Sequence, residues 1–194
     1  LPNNKIITIS NIHYLKTDKH LRLPFEERKD LLFVGSIHEP NIDALNFLYQ
    51  KIMPKIWLEK PEIKVNVVGN LIEKINVSHY PEFNFLGYVE DMEPLLKSSK
   101  IMIAPLRFWA GVKGKIGQAF EYFLPVVTTN IGAEGMQLIS DEYALIEDDP
   151  SEFAKAVINL YSNETLWNKL SDNSQKSLHP FSREAVENIL KNLN

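Results

Sequence analysis

The stretch with the most chemical content runs from Ala104 to Ala119, APLRFWAGVKGKIGQA. An apolar run, Ile101-Met102-Ile103-Ala104-Pro105, exits into a loop with Gly111, Gly114 and three cations, Arg107, Lys113 and Lys115. A helical pattern then starts near Lys115. The first N–H groups of a helix have no internal partners, and the macrodipole makes that end positive. Beside Gly-x-x-Gly and lysines, such an end attracts an anion such as a phosphate. A solvated basic loop that only caps the helix is the plainer reading of the same residues. The loop lacks the Lys-Ser/Thr ending of a Walker motif, and a Rossmann glycine fingerprint belongs after the first strand.

The elements around this loop follow from hydrophobic patterning. Short β-rich runs recur at 31–35, 64–69, 83–87, 101–105, 126–129 and 143–146, several apolar on both faces. That is how parallel strands covered by helices read. Helical patterns lie between them: one capped by Asn41 with a break near Pro54, a short one over 91–98, and one over 115–123 stopped at Pro125. Asp149-Pro150 with Glu152 opens another, through Phe153, Val157 and Leu160, and two more start near Glu164 and at Ser182. Strands alternating with helices predict an α/β, doubly wound, mostly parallel six-stranded sheet with C-terminal helices.

Seven of the eight glycines gather at one edge of that sheet. Gly35, Gly69 and Gly87 close strands; Gly111, Gly114, Gly132 and Gly135 fall in the loops after the fourth and fifth. Strand-to-helix turns need glycine in any case, but ligands of open α/β sheets bind outside the carboxyl ends of the strands. Gly117 alone is placed within a helix.

Composition narrows the classes. The chain has 194 residues, 44% of them hydrophobic, no cysteine and a formal charge of −4. That is enough for one core without staples, and it leaves no disulfide framework or thiol nucleophile. Mild acidity argues against a phosphate-driven nucleic-acid binder. No apolar stretch approaches the ~20 residues of a membrane span, so a cytoplasmic location is expected. The five histidines show no ligand spacing, no Asp-x-Asp loop is present, and Asp148-Asp149 is accounted for by the helix start, so no metal is expected. Residues 1–27 read as a lead-in to a domain over 28–194, and the start at Leu1 suggests an excised piece of something longer.

Taken in order, Val34-Gly35-Ser36, Val68-Gly69, Leu86-Gly87-Tyr88-Val89, Ala104-Pro105-Leu106-Arg107, Ala110-Gly111-Val112-Lys113-Gly114-Lys115, Pro125-Val126-Val127-Thr128-Thr129 and Gly132-Ala133-Glu134-Gly135 resemble group 1 glycosyltransferases. These are the family 4 type with the GT-B architecture, and the resemblance is to their C-terminal, nucleotide-sugar-binding domain over about residues 31–182. Ser10-Asn11-Ile12-His13 sits where such enzymes carry the hinge from an N-terminal domain.

The resemblance implies transfer of a sugar, of the hexosyl type, from a nucleoside-diphosphate sugar to an acceptor hydroxyl. It implies no separate cofactor and a role in cell-surface polysaccharide or glycoconjugate synthesis. Gly111, Val112, Lys113, Gly114 and Lys115 would hold the donor diphosphate, with Lys113 and Lys115 stabilising the leaving phosphate. Gly35 would line the first loop, Tyr88 and Val89 would meet the nucleobase, and Glu134 the ribose or the sugar. Gln118 stands where a ribose-binding glutamate is usual, and Ala110 where a second glutamate contacts the sugar. Phe123 replaces the glycine before Leu124-Pro125, and Ser36 to Asn41 occupies a loop that often holds Arg and Lys.

The acceptor, a glycan or lipid-linked glycan, would be met by the missing N-terminal domain, with peripheral membrane contact through the full-length protein. The 194 residues alone would bind donor and turn over slowly. Plainer readings stay open for Tyr88 as a strand-end aromatic, Glu134 as a local cap and His38 as a surface residue. Phe108 and Trp109 would form an interface or cover the sheet edge. Two rival functions share the architecture: a non-catalytic nucleotide- or protein-binding module, favoured by Ala110 and Gln118, and a nucleotide-sugar 2-epimerase, for which no carboxylate and histidine set stands out.

Overall fold

Consecutive residues Leu31, Leu32 and Phe33 are all buried, and they part to opposite sides of one sheet. A strand alternates its side chains, so a strand buried on both faces must be covered by helices on both. The computed structural model describes residues 11–108 and 113–191. Six strands form the sheet: β1 (Lys29–Val34), β2 (Val65–Val68), β3 (Phe83–Gly87), β4 (Ser99–Ala104), β5 (Val126–Thr128) and β6 (Leu145–Ile146). Every pairing is parallel and the order is β3-β2-β1-β4-β5-β6. The doubly wound sheet expected from the patterning is therefore present, with its order reversing between β1 and β4.

On one face Leu31, Phe33, Val65, Val67, Ile101 and Ile103 pack against α1 (Glu39–Phe47), α2 (Met53–Glu59), α6 (Pro150–Ser162) and α7 (Glu164–Asp172). On the other, Leu32, Met102 and Val126 meet α3 (Glu93–Ser98), α4 (Gly114–Glu121) and α8 (Ser174–Leu178). The remaining helices are α5 (Asn130–Ala133) and α9 (Arg183–Lys191).

Helix boundaries show where local chemistry governs. Asp149 accepts the N–H groups of Ser151 and Glu152, with Pro150 in the first turn, as the sequence predicts. Two boundaries differ from expectation. Asn41 does not cap a helix: α1 starts at Glu39 because Pro40 fits its first turn, and Asn41 lies within that turn. The expected break at Pro54 takes the form of a π-helical turn, Leu48–Ile52, in which the Met53 N–H reaches back to Leu48 O.

The end of α4 also differs. The helix stops at Glu121, four residues before Pro125, and Phe123 adopts φ 58°. Leu124 N–H donates to Ala119 O and Phe123 N–H to Phe120 O, the paired bonds of a Schellman turn. Phenylalanine holds the left-handed position that glycine usually takes because its ring is almost fully buried.

The segment before β1 is anchored at several points. His13 N–H donates to Phe181 O, and Lys16 N–H to Glu121 O. Arg28 is buried and donates to four carbonyls: Leu23, Leu96, Ser99 and Tyr122. Three of these, Leu96, Ser99 and Tyr122, lie at the carboxyl ends of α3 and α4, where a cation is favoured.

Candidate functional site

The crevice at a strand-order reversal is where an open α/β sheet binds ligands, because the loops leaving two neighbouring strands diverge there. In this chain that point lies between β1 and β4. A cavity of about 170 Å³ occupies it, lined by Ser36, His38, Pro40 and Asn41 from one side and Leu106, Lys113, Gly114 and Lys115 from the other. A wider groove of about 900 Å³ opens near Asp30, Lys64 and Asn84, at the amino-terminal ends of the strands. The smaller cavity has the convergent charge and the topological position, and we take it as the site.

The β1–α1 loop enters over two glycines. Gly69 has φ 116°, and a Cβ built on it would come 1.9 Å from Gly35 O. The ends of β1 and β2 thus approach more closely than any side chain permits. Gly35 donates its N–H to Val68 O and is buried among Phe33, Leu71 and Asn41. Packing accounts for Gly35; it supports the loop and does not line the cavity.

Lys113 and Lys115 flank the start of α4. Lys113 is 4% exposed, and burial lowers its pKa, with Glu134 acting in the opposite sense. Lys115 Nζ donates to Val34 O at 2.8 Å and to Asn41 Oδ1 at 2.7 Å, and lies 5.7 Å from the centre of the Phe33 ring. Desolvation, and then repulsion from Lys113, pull its pKa down to about 8. Two cations are thus held close together away from water, an arrangement that an incoming anion relieves.

The third cation of the loop does not join them. Arg107 forms a bidentate ion pair with Asp43 on α1, and its guanidinium lies 4.9 Å from the Phe47 ring centre. Charge complementarity with α1 therefore directs it away from the lysines.

The other residues singled out by sequence are dispersed. Gly114 lines the cavity, and Gln118 lies one turn further along α4, partly exposed. Tyr88 follows β3 at the sheet edge and is 79% exposed, while Val89 packs under that edge with the second core cluster. Glu134 is exposed and reaches Lys113 through its charge. His38 is exposed and lines the cavity. Gly111 and Val112, with Trp109 and Ala110, lie outside the described residues. Ser36 and Asn41 form the polar wall opposite the lysines. Their signal in the sequence was only their place after the first strand.

Residues 28–163 match the family described as Glycosyl transferases group 1. The chain belongs to that family. An uncharacterized 44.6 kDa protein in the cps region of Klebsiella pneumoniae is 31% identical over 146 residues, 69% of this chain and 37% of that protein. Among solved structures, a mutant of S. aureus TarM in complex with fondaparinux, alpha-GlcNAc-glycerol and UDP superposes with a TM-score of 0.78 at 16% identity, over all of this chain and 40% of that one. The pneumococcal O-GlcNAc transferase GtfA, in complex with UDP and GlcNAc, gives 0.69 at 18% identity over 97% and 39%. The chain thus spans about two-fifths of the length of these relatives. The group 1 chain has the Rossmann-like fold of a GT-B glycosyltransferase domain, as the resemblance implied. Among the described residues no helix is long and apolar enough to cross a membrane, and no three His, Asp or Glu side chains are grouped so as to hold a metal ion.

Proposed function

We propose that this chain is the donor-binding domain of a glycosyltransferase that moves a hexose from a nucleoside-diphosphate sugar to an acceptor hydroxyl, acting in the cytoplasm on cell-surface polysaccharide or another glycoconjugate. The observation that carries the reading is the pair of desolvated lysines at the β1/β4 reversal, beside the start of α4. The UDP in the TarM and GtfA complexes supports a nucleotide ligand for the same fold.

The chemistry follows from the charges. As the bond between the anomeric carbon and the phosphate oxygen breaks, negative charge grows on the leaving diphosphate. Lys113, Lys115 and the amino end of α4, with Gly114, Gly111 and Val112, stabilise that charge as it forms. Interactions stronger in the transition state than in the ground state accelerate the reaction. By analogy with oxyanion-hole donors, each is worth about 2–4 kcal/mol. Gly35 supports the phosphate loop, Tyr88 and Val89 face the nucleobase, and Gln118 and Glu134 meet the ribose or the sugar. The amide of Gln118 accepts and donates hydrogen bonds without a charge. No metal or separate cofactor takes part. An N-terminal domain binds the acceptor glycan or lipid-linked glycan, and without it turnover is slow.

Calorimetric titration of the chain with UDP, GDP, ADP and dTDP tests the reading. The expected result is binding in the micromolar to millimolar range by one of the four, weakened by Lys115→Ala. Saturating concentrations of all four without heat or chemical-shift change would favour a non-catalytic module, the reading that Gln118 in place of a glutamate suggests.

A further inference from the structure

An ammonium group has three N–H bonds, and a lysine near an anion site must be held without having its charge cancelled. Asn41 does this for Lys115. Its Nδ2 donates to Ser36 Oγ at 3.0 Å and to Ser36 O at 3.3 Å, which turns Oδ1 toward Lys115 Nζ at 2.7 Å. The opposite amide orientation would face an NH₂ group against an ammonium, so the Ser36 contacts select the productive one. Val34 O takes a second N–H of Lys115. Both acceptors are neutral, they are the two hydrogen-bond partners of Lys115 Nζ among the described residues, and Lys115 lines the cavity.

We infer that Asn41 is a positioning residue for the donor phosphates: it fixes the Lys115 ammonium at the carboxyl end of β1 while leaving its positive charge unneutralised. The inference deepens the donor-binding reading and rests on it. Asn41 is the third residue of α1, so its backbone is held by a helix, and Lys115 lies 74 residues further along the chain. An aspartate there would form a closed ion pair and quench the field that an anion meets. An aliphatic residue would leave a desolvated ammonium short of an acceptor, and the flexible lysine would swing away. The other titratable groups nearby are Lys113 from the start of α4, whose repulsion acts on Lys115, and His38 from the β1–α1 loop, which lines the same cavity. Glu134, after β5, acts on Lys113, and Asp43 of α1 is occupied by Arg107.

The test combines two readouts on wild type, Asn41→Asp, Asn41→Leu and Ser36→Ala. Lysine labelled with ¹³C at Cε, with the Lys115 signal assigned by its loss in Lys115→Arg, gives the titration midpoint without any ligand. Calorimetry with UDP from pH 6 to 10 gives affinity. We expect Asn41→Asp to move the Lys115 midpoint up by about one pH unit or more, and Asn41→Leu to move it down. Ser36→Ala, which leaves both partners in place, shifts it in the direction of Asn41→Leu by less. UDP affinity at pH 7 falls about tenfold in both Asn41 variants, with the alkaline fall moving in opposite directions. Midpoints unchanged in folded Asn41→Asp and Ser36→Ala overturn the inference. Wild type that binds no nucleotide overturns the donor reading instead, and the lysine midpoints still decide the role of Asn41.

Discussion

The imidazole of His13 lies so close to Gly117 that a Cβ built on that glycine would come 2.5 Å from His13 Nε2. The other ring nitrogen meets Glu121 Oε1 at 2.9 Å, one turn further along α4. His13 is 7% exposed, and its Nε2 has no hydrogen-bond partner among the described residues. The glycine inside the helix is therefore a seat for the segment that precedes β1, and Glu121 is the buried carboxyl group that this segment covers.

Gly117→Ala is accordingly expected to destabilise the chain. Alanine improves helix propensity by about 1 kcal/mol. Displacing the imidazole overpacks the seat and strands a buried carboxylate, which together cost more, for a net loss of about 2–3 kcal/mol. Urea denaturation measures this. His13→Ala removes the clash but also the partner of Glu121, so the two losses add to more than the double variant shows.

At Phe123 two effects oppose each other. Phe123→Gly relieves the left-handed backbone, a gain of about 1–2 kcal/mol. It also deletes a nearly fully buried ring, at about 3–5 kcal/mol. The ring outweighs the strain, so the expected outcome is a lower urea midpoint.

Arg28 gathers four carbonyls from three parts of the chain, and burial brings its pKa down to about 10. Arg28→Lys keeps the charge but cannot fan out to Leu96, Ser99 and Tyr122 at once. We expect a loss of about 3 kcal/mol or more, and Arg28→Met to be at least as damaging because the carbonyls stay buried without a donor. Thermal unfolding of both variants checks the ranking.

The lowered pKa of Lys115 sets a pH dependence whose sign can be worked out. Its folded value of about 8 lies below the ordinary 10.5, so between those values the unfolded chain binds more protons and stability rises with pH. The cost of burying the charge is fully present below pH 8. Relative to Lys115→Met, wild type should therefore gain stability from about pH 8 upward. Nucleotide affinity runs the other way: it falls by up to about tenfold per pH unit above pH 8, since the binding form is charged. Paired denaturation and calorimetry series check both slopes.

Much of the architecture was legible before any coordinates. Leu31 to Val34 and Ile101 to Ala104 read as doubly covered strands because a parallel sheet needs apolar residues on both faces, and Asp149-Pro150 read as a helix start because capping acts within one turn. The lysine pair at 113 and 115 was legible for the same reason: glycine, cation and helix start are neighbours in sequence. Tertiary structure alone decided that Arg107 would turn to Asp43, that Asn41 would bridge Ser36 and Lys115, and that His13 would rest on Gly117. Each depends on rotamers meeting across tens of residues, at distances where a few tenths of an ångström separate a hydrogen bond from a clash. Local patterning sets which stretches become strands and helices; the pairing of β1 with β4, 70 residues further along the chain, sets which charges meet.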